Sequence, residues 1–498
     1  MDTPVGVDAI GVYVPKLFVD LTGEWARARA PALAGGDIAK LIGKVTDGIG
    51  VRKMAVVDAH EDCATLAAMA AKRAIDAAHI DPRDIDYLAV GTETTVDQSK
   101  SVAAYILGML ERHYGVSLAH VGTPQVQFAC VGATYALEAA VARIRSGEST
   151  KPYALVLASD ISKYPLRTAG EYTQGAGAVA LLVCADPRIL VLEPRLVGTV
   201  TRDERDFFRP NWSAAAVVDG KYSIDVYLDC MEGALSDYVG RVERARGAGG
   251  IYDAAAHFLF HVPFPRMAEY AALRMFGRLW LDDPAARSTL EREVPTDLAR
   301  KDFERSLARS QLFRDAFAAK VAPSLTLARD IGNAYSASLY LALVSLLEET
   351  RDQHLSCHRV VFGSYGSGAS AKVFSGIIAP RYAEMVAGLR THKDLRSEEE
   401  GGSRVGLTMA EYERLHELCD SELDLGDGIA SKIRDGIALT ASDVAALRAA
   451  LARPQWRVAP RGRSVRPPRN EFALERLGTS STPDRTDVGY RYYAWVGE

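Results

Sequence analysis

The chain of 498 residues is poor in cysteine, and its cysteines form neither a CxxC pair nor a cluster with histidine at the spacing of a zinc site. The six are Cys63, Cys130, Cys184, Cys230, Cys357 and Cys419. A disulfide framework is not expected in so long a chain with scattered cysteines. We therefore interpret them as reduced thiols and expect a cytoplasmic protein.

An excess of positive charge and long apolar runs are also missing. Lys and Arg number 59 against 64 Asp and Glu, a net charge of -5, so no basic surplus is available to bind nucleic acid. No apolar run approaches the ~20 residues that span a bilayer, and the start, MDTPVGVDAIGVYVP, lacks the basic region of a signal peptide. The 48% hydrophobic and 25% charged residues indicate a globular protein of about two to four domain-sized units, with neither nucleic acid nor membrane as a partner.

Short apolar runs alternate with helical periodicity in the first half of the chain. The predicted strands are 5–14, 85–90, 126–128, 153–159 and 177–184. The predicted helices are 62–78, 101–113 and 132–146. Strands that alternate with helices predict a mixed α/β sheet covered by helices.

The second half repeats this pattern weakly. It has predicted strands at 258–262 and 359–362, a predicted helix at 266–279, and a loop followed by a helix from Ile331 onward. The second of these strands is expected to stop at the glycine turn GSYGSGAS. Each half has a strand that enters a polar turn and a small-residue helix, with Cys130 at one such junction and Asn333 at the other. This arrangement indicates a duplicated layered α/β unit, although no residue-level repeat accompanies it.

The composition changes beyond about residue 382. The run EEEGG at 398–402 is typical of a surface loop, and residues 408–423 are typical of a polar helix. The basic, proline-rich segment 453–469 is typical of a solvated linker, and the alternative for this segment is a docking surface for an anionic partner. EFALERL and YRYYAWV alternate enough to form a final strand pair. We therefore divide the chain into an N-terminal half at 1–190, a C-terminal half at 191–390 and an extension at 391–498.

Cys130 is the strongest candidate for chemistry. It lies in QFACVGATYALEAA, between a strand run and a small-residue helix. Unpaired amide groups at a helix N-terminus favour a thiolate, so we expect the pKa of Cys130 to be lowered. The alternative is an inert buried cysteine, which is how we interpret the other five.

Glu93 and His261 are candidates for proton transfer. Glu93 follows the apolar run YLAVGT, where partial burial would raise its pKa toward the range useful for acid–base work. An exposed loop carboxylate is the alternative. His261, in FLFHVPFPRM, is predicted at a strand end facing a pocket, with a structural histidine as the alternative. Arg266, five residues later, could meet a phosphate, whereas Asp97 fits a local hydrogen-bonding role.

Two glycine-rich segments and one asparagine complete the set. YTQGAGAVALL and GSYGSGAS fit neither the dinucleotide fingerprint nor the P-loop, and they suit a close approach of backbone to a ligand or another chain. Asn333, in IGNAYSASLY, could bond a substrate carbonyl or simply cap its helix.

Taken together, these segments resemble the 3-hydroxy-3-methylglutaryl-CoA synthase family of thiolase-superfamily condensing enzymes. The matching segments are GTETTVDQSKSVAAY, ACVGAT, LASDISKYPLRTAGEYTQGAGAVALL, DFFRP, VVDGKYSI, FHVPFPRM, GNAYSASLY and FGSYGSG. They occur in the family's order over about residues 5–380, whereas the tail matches loosely. The resemblance implies a thiolase-like fold with two duplicated halves in an α-β-α-β-α layering and an extended C-terminal region.

The resemblance also implies a reaction, the condensation of acetyl-CoA with acetoacetyl-CoA and water to 3-hydroxy-3-methylglutaryl-CoA and CoA. Cys130 would carry the acetyl group as a thioester. Glu93 would remove a proton from the acetyl methyl, and the resulting enolate would attack C3 of acetoacetyl-CoA. Glu93 or His261 would serve the new hydroxyl, His261 would also position the acetoacetyl thioester, and water would free the product.

Further roles follow from the same resemblance. Substrate contacts fall on Tyr164, Thr173, Arg266, Asn333 and Ser367. Supporting acidic residues fall on Asp97, Asp160 and Asp206. The backbone N–H groups of Cys130 and Ser367 would form the oxyanion hole. No metal or redox cofactor is implied. The partners would be acyl-CoA substrates, with acyl carrier protein as an alternative, and a homodimer is expected.

Two positions depart from the family's pattern. Val131 stands where the family usually has Tyr after the nucleophile, which puts rate or acyl preference in doubt. Arg266 stands where the family usually has Lys, which keeps the charge with a different geometry. The Cys–His–Glu set itself is complete.

Three other functions remain open. A related synthase of polyketide β-branching would use the same residues with carrier-protein substrates, and only the acyl carrier would differ. An initiating ketoacyl synthase or a thiolase fits less well, because His261 and Asn333 are 72 positions apart and Glu93 precedes the nucleophile. A non-catalytic scaffold would be expected to lack one of the three catalytic residues.

Overall fold

The computed structural model describes residues 3–210, 215–247, 250–418, 432, 437–451, 464–478, 481–482, 485–487 and 490–497. Its strands are β1 (Val5–Tyr13), β2 (Leu17–Asp20), β3 (Lys53–Val56), β4 (Ile85–Gly91), β5 (Gln125–Val126), β6 (Tyr153–Ser162), β7 (Gly175–Ala185), β8 (Leu190–Thr201), β9 (Phe207–Phe208), β10 (Val217–Val218), β11 (His257–Phe260), β12 (Arg359–Gly366), β13 (Ser370–Ile378), β14 (Val405–Gly406), β15 (Glu471–Leu477), β16 (Ser481–Thr482), β17 (Arg485–Thr486) and β18 (Arg491–Val496).

The helices are numbered in the same way. They are α1 (Glu24–Ala34), α2 (Ile38–Gly43), α3 (Cys63–Ala78), α4 (Val102–Tyr114), α5 (Gly132–Ser146), α6 (Gly220–Arg246), α7 (Ile251–Ala254), α8 (Pro265–Asp282), α9 (Pro284–Leu290), α10 (Arg300–Arg309), α11 (Gln311–Lys320), α12 (Ala328–Ile331), α13 (Ser338–Glu349), α14 (Tyr382–Val386), α15 (Thr391–Asp394), α16 (Met409–Leu418) and α17 (Ala441–Leu451). Short 3-10 turns cover Pro82–Asp84, Glu171–Thr173, Ala322–Ser324 and Tyr335–Ala337, and a π-helical turn covers Lys44–Ile49.

The central sheet has the strand order β11-β12-β13-β8-β1-β7-β6-β4-β5 and is made of two copies of one pattern. In the first copy, β4 and β6 are parallel, and β6, β7 and β1 follow with antiparallel pairing. In the second, β11 and β12 are parallel, and β12, β13 and β8 follow with antiparallel pairing. The copies meet where β1 and β8 pair over two residues each. The expected duplication is thus confirmed in the strand topology.

Helices cover both faces of each copy and give the expected α-β-α-β-α layering. Successive side chains of a strand point to opposite faces. On β6 the Ser159 hydroxyl donates to the Cys63 carbonyl at the start of α3, while the next side chain, Asp160, points toward Ser336 of the second copy. The middle layer contains α5 and α13, where the Thr134 hydroxyl lies 2.9 Å from the Tyr340 hydroxyl.

Local sequence explains most of these elements. Helix α3 begins at the Asp62 cap, whose carboxylate accepts from the amides of Ala64 and Thr65. Helix α5 spans the residues predicted for it, and alanines along it let the middle layer pack closely. Two strand predictions were wrong. β5 ends at Val126, before the chain turns toward Cys130, and β12 continues through its glycines to Gly366.

The C-terminal region packs on the first half. Strands β15 and β18 form the expected antiparallel pair. The Leu474 amide donates to the His60 carbonyl, and Tyr493 and Arg491 both bind the Asp62 carboxylate at the start of α3. The predicted polar helix is observed as α16. Residues 453–463 of the basic segment, and Cys419, lie outside the described residues.

Within the part of the chain that the structure describes, no helix is both long and apolar enough to cross a bilayer.

Candidate active site

Cys130 occupies a tight turn that leads from β5 into α5. Ala129, before it, has a positive φ of 39°, which a residue with a side chain rarely adopts. The Cys130 sulfur lies 3.8 Å from Glu93 Oε2 and packs against an apolar cluster that includes Tyr164 and Tyr335. The thiol and the carboxylate are therefore adjacent.

The expected lowering of the pKa of Cys130 is wrong. Burial and the neighbouring Glu93 carboxylate raise the pKa of this thiol well above its usual value. The predicted helix N-terminus is present, but a thiolate here would be poorly solvated and would also face a carboxylate, and burial and repulsion together outweigh the amide groups. The thiol is therefore protonated at neutral pH and needs a base.

Glu93 can supply that base. It follows β4 and is buried, with 7% of its surface exposed, which excludes the exposed-loop alternative. Burial raises its pKa to about 8, and Arg209 opposes that rise. The predicted upward shift of the Glu93 pKa is confirmed, and the carboxyl group titrates near the pH at which it can both take and return a proton.

Sequence reasoning missed Arg209. Its Nη2 donates to Glu93 Oε1 at 2.6 Å and its Nη1 donates to the Glu93 carbonyl at 2.9 Å. The segment DFFRP contributes to the family resemblance, and the arginine within it is the one signal in the sequence for this contact.

Asp160 ties the two halves together beneath Glu93. Its Oδ1 accepts from the Glu93 amide at 2.9 Å and from the Thr92 hydroxyl at 2.7 Å. Its Oδ2 accepts from the amide of Ser336 at 3.0 Å and from the hydroxyl of the same residue. The carboxylate is completely buried, and burial raises its pKa. It therefore fixes the Glu93 loop relative to the loop that carries Asn333.

Asp160→Asn is expected to lower the free energy of unfolding by about 2–4 kcal/mol, because an amide NH2 would face donors that now bind a carboxylate oxygen. Urea denaturation followed by circular dichroism measures this loss. Asp237→Asn is the matched control, since Asp237 is half-buried and caps a strand amide at 2.9 Å. An equal loss in both variants would show that Asp160 has no special part in joining the halves.

The turn that carries Ser367 lies against the Cys130 turn. A Cβ atom on Gly366 would come within 2.7 Å of the Val131 nitrogen, so only glycine permits this approach. Buried Asp206 holds the turn from the other side, since it accepts from the Gly368 amide at 3.0 Å and from the Tyr365 hydroxyl at 3.1 Å. The backbone of Ser367 is therefore held beside Cys130.

His261 directly follows β11, whose last residue, Phe260, pairs with Gly363 of the parallel strand β12. It is 2% exposed, and burial lowers its pKa to about 3, so the imidazole is neutral at physiological pH. Its amide donates to the Gly363 carbonyl, and its own carbonyl accepts from the Tyr227 hydroxyl. Its Nδ1 is buried and has no hydrogen-bond partner among the described residues.

Asn333 caps the turn before α13, which is one of its two predicted roles. Its Oδ1 accepts from the Tyr335 amide at 2.9 Å and from the Ser338 hydroxyl at 3.2 Å. Its backbone amide donates to the Thr173 carbonyl at 3.1 Å. Since its oxygen points into the turn, the NH2 end is the part that can reach a substrate. Tyr164 lies across the cluster from this turn, in contact with Tyr335.

Asp97 and Arg266 both have local partners, and for Asp97 this is the local hydrogen-bonding role that the sequence predicts. Asp97 accepts from the amides of Ser99 and Lys100 at 2.8 and 2.7 Å, and these bonds, against the effect of burial, lower its pKa. The Arg266 guanidinium pairs with Glu269 and donates to the carbonyls of Gly48 and Asp47. In this structure Arg266 holds the π-helical turn.

A group of possible metal ligands lies elsewhere, under the C-terminal strands. His60, Glu61 and Glu471 place one ligand atom each within 4.8 Å of one another. The Arg466 guanidinium already lies 2.6 Å from Glu471 and 3.4 Å from Glu61. The positive charge of Arg466 would repel a metal ion, so this cluster instead joins the C-terminal region to the first half.

Comparison with known proteins supports the resemblance. The family models described as hydroxymethylglutaryl-coenzyme A synthase N terminal and C terminal match residues 2–188 and 190–423. A hydroxymethylglutaryl-CoA synthase of Haloferax volcanii is 31% identical over 85% of this chain and 93% of its own length, and one of Enterococcus faecalis is 33% identical over 84% and 94%.

Solved structures give the same result. MvaS in complex with 3-hydroxy-3-methylglutaryl coenzyme A superposes with a TM-score of 0.76 at 33% identity and covers both chains completely. The HMG synthase of the curacin biosynthetic pathway, in complex with apo donor-ACP, superposes with a TM-score of 0.68 at 26% identity over 99% of this chain and 100% of its own.

Proposed function

Because this chain belongs to the hydroxymethylglutaryl-CoA synthase family of condensing acyltransferases, we propose that it converts acetyl-CoA, acetoacetyl-CoA and water to 3-hydroxy-3-methylglutaryl-CoA and CoA through an acetyl thioester on Cys130. The observation that carries the proposal is the approach of the Cys130 sulfur to 3.8 Å from Glu93 Oε2, a buried carboxylate with a pKa of about 8.

The first step is transfer of the acetyl group to Cys130. The thiol is protonated and Glu93 is the adjacent base, so Glu93 takes the thiol proton as the sulfur attacks the thioester carbonyl of acetyl-CoA. The bond between the carbonyl carbon and the CoA sulfur breaks, and the leaving CoA thiolate receives that proton. Acetyl-Cys130 and free CoA result, and Glu93 is ionised again.

The second step forms the carbon–carbon bond. Glu93 removes a proton from the methyl group of acetyl-Cys130, and the enolate attacks the C3 carbonyl of acetoacetyl-CoA. The new alkoxide takes the proton back from Glu93. The imidazole of His261 is neutral, so it acts as a hydrogen-bond donor that holds the acetoacetyl thioester. Water then attacks the Cys130 thioester, which releases the product acid and the free thiol.

The amides of Cys130 and Ser367 are the proposed oxyanion donors. Each step places negative charge on a thioester oxygen, and fixed N–H groups stabilise that charge without reorganisation. The contact between Gly366 and Val131 supports this role because it sets the spacing of the two turns. Tyr164, Thr173 and the NH2 group of Asn333 would then face the acyl group. Arg266 would reach the phosphates of CoA only by leaving Glu269 and the carbonyls of Gly48 and Asp47, which its three guanidinium nitrogens now bind.

Gly366→Ala is expected to lower kcat by about 100-fold, since its Cβ would push the two oxyanion turns apart. The rates of Cys130 acetylation and of condensation are both measured at saturating substrate. Gly240→Ala is the control, because a Cβ at Gly240, in α6, meets no atom within 4 Å. If both variants keep wild-type kcat, the two turns do not form the oxyanion hole.

An acyl carrier protein is the second candidate for the acyl carrier. The curacin pathway synthase, which is described in complex with apo donor-ACP, shares the fold with this chain. The CoA substrates are favoured because MvaS in complex with 3-hydroxy-3-methylglutaryl coenzyme A has both the higher identity and the higher TM-score. We further propose a homodimer in the cytoplasm, and the free cysteines among the described residues support a reducing compartment.

The test of this function is an assay of the purified protein with acetyl-CoA or acetyl carrier protein as the donor and acetoacetyl-CoA or acetoacetyl carrier protein as the acceptor. We expect acetoacetyl-CoA to be consumed with release of one free thiol for each 3-hydroxy-3-methylglutaryl-CoA formed. Consumption of the carrier-protein substrate alone would assign the acceptor to the second candidate. Consumption of neither would refute the condensing function.

A further inference from the structure

The Arg209 guanidinium donates hydrogen bonds to Glu93 at two points. One guanidinium nitrogen binds the carboxylate at Oε1 and the other binds the main-chain carbonyl of the same residue, at 2.6 and 2.9 Å. The guanidinium carbon also lies 5.9 Å from the centroid of the Tyr335 ring, in the apolar wall behind Cys130. A side chain that binds both ends of Glu93 restricts its rotation as well as its position.

The segment that carries Arg209 contacts three parts of the site. Asp206 holds the Ser367 turn through the Gly368 amide and the Tyr365 hydroxyl. The Phe207 ring stands edge-on to Tyr335, with centroids 6.1 Å apart. Arg209 then reaches Glu93. The proposed acid–base group and the proposed oxyanion turn are thus fixed from one short segment.

We propose that Arg209 is a positioning residue that fixes Glu93 so that Oε1 is occupied and Oε2 faces the Cys130 sulfur. This inference rests on the proposed function and deepens it. The last torsion of a glutamate is soft, so a free carboxylate would exchange its two oxygens and turn away from the sulfur. With Oε1 held by Arg209, the second oxygen remains at 3.8 Å from the sulfur.

The charges around Glu93 give Arg209 a second effect. The titratable groups that face Glu93 in the described residues are Cys130, Asp160, Tyr164, Tyr335 and Arg209. Among these, Arg209 carries the positive charge, and it opposes the rise in the Glu93 pKa that burial and Asp160 cause. Without Arg209 the pKa of Glu93 therefore moves above about 8. The base form is the ionised carboxylate, so the pH range over which the rate increases moves to higher pH.

The test compares Arg209→Gln and Arg209→Lys with wild type over pH 6 to 10, by kcat/KM and by the rate of Cys130 acetylation. For Arg209→Gln we expect both rates to be about 100-fold lower than wild type at pH 7. The pH range over which the rates rise should lie at least about one pH unit higher, and the rates should recover in part above that range. Arg209→Lys keeps the charge but cannot bind Glu93 at both points. We therefore expect its rate to rise over nearly the same pH range as that of wild type, while the rate itself falls about tenfold.

Arg359→Gln is the matched control, because Arg359 binds a buried carboxylate, Glu193, through two bonds of 3.0 and 3.1 Å at the opposite end of β12. In this control the pH range over which kcat/KM rises should not move.

The inference is overturned if this pH range does not move in Arg209→Gln, or if it moves equally in Arg359→Gln. If Arg209→Gln is not recovered folded, Arg209→Lys decides, and a wild-type rate there also overturns it. Failure of the wild type to acetylate Cys130 would instead refute the proposed function.

Discussion

Cys130→Ala is expected to abolish turnover, with kcat at least about 10⁴-fold below wild type. The variant has no sulfur to accept the acetyl group, so neither acetylation nor the later carbon–carbon step can begin. Cys130→Ser should be equally inactive, because a serine hydroxyl is far less acidic than a thiol and a carboxylate with a pKa of about 8 cannot ionise it. Release of free CoA from acetyl-CoA measures the first step, and loss of acetoacetyl-CoA measures the second.

Cys357→Ser is the matched control for this experiment. Cys357 is an exposed free thiol just before β12 begins, at the opposite end of this strand from Gly366 and the Cys130 turn, so its replacement should leave both rates unchanged. Retention of more than about 1% of the wild-type rate by Cys130→Ala would mean that another group carries the acetyl. Because the Cys130 side chain is small and half-buried, Cys130→Ala should keep the wild-type circular dichroism spectrum.

Glu93→Gln is expected to lower kcat by about 10³-fold and to remove the pH dependence of the remaining rate. In the proposed mechanism the ionised carboxylate is the base. Below its pKa of about 8 the protonated fraction grows as pH falls, so kcat/KM should fall about tenfold for each pH unit and level off above pH 8. Glutamine keeps the shape of the side chain but neither accepts nor returns a proton, so its rate should be flat across the same range.

The control for Glu93 is Glu111→Gln. Glu111 lies on α4 and caps the Leu118 amide at 2.6 Å, so its loss removes a carboxylate without reaching Cys130. It should keep the wild-type pH profile. A rising limb that persists near pH 8 in Glu93→Gln would assign the titration to another group and would remove the basis for the proton steps proposed for Glu93.

The positions of Glu93 and Cys130 could be predicted because each depends on a local pattern. An apolar strand that ends in a polar turn places Glu93, and a strand run before a small-residue helix places Cys130. These patterns are short-range, so a single sequence contains them. The same is true of α5, whose small residues and final glycine define its span.

The electrostatics of the pair could not be predicted, because they depend on contacts between distant residues. The helix N-terminus is visible in the sequence near Cys130, whereas the carboxylate that raises the thiol pKa is 37 residues away. Arg209 is 116 residues from Glu93, and nothing in its surroundings shows which carboxylate it binds. Burial, which dominates both pKa shifts, appears only when the two halves pack together.

Glycine misled the prediction for β12. GSYGSGAS was interpreted as a turn because glycine commonly ends strands. In the structure its first four residues continue the strand, and Gly366 is required there because Val131 of the other half lies directly against it. The strand therefore ends at the contact between halves, and a local reading of glycine could not show that contact.

The most direct test of the central claim is a pulse and chase with acetyl-CoA labelled in its acetyl group. The protein is acetylated, freed of excess substrate, digested and mapped by mass spectrometry, and a parallel sample is chased with acetoacetyl-CoA. We expect one label per chain, on the peptide that contains Cys130, and its transfer into 3-hydroxy-3-methylglutaryl-CoA during the chase. Label on any other residue, or label that remains on Cys130 through the chase, would contradict a condensation that proceeds through acetyl-Cys130.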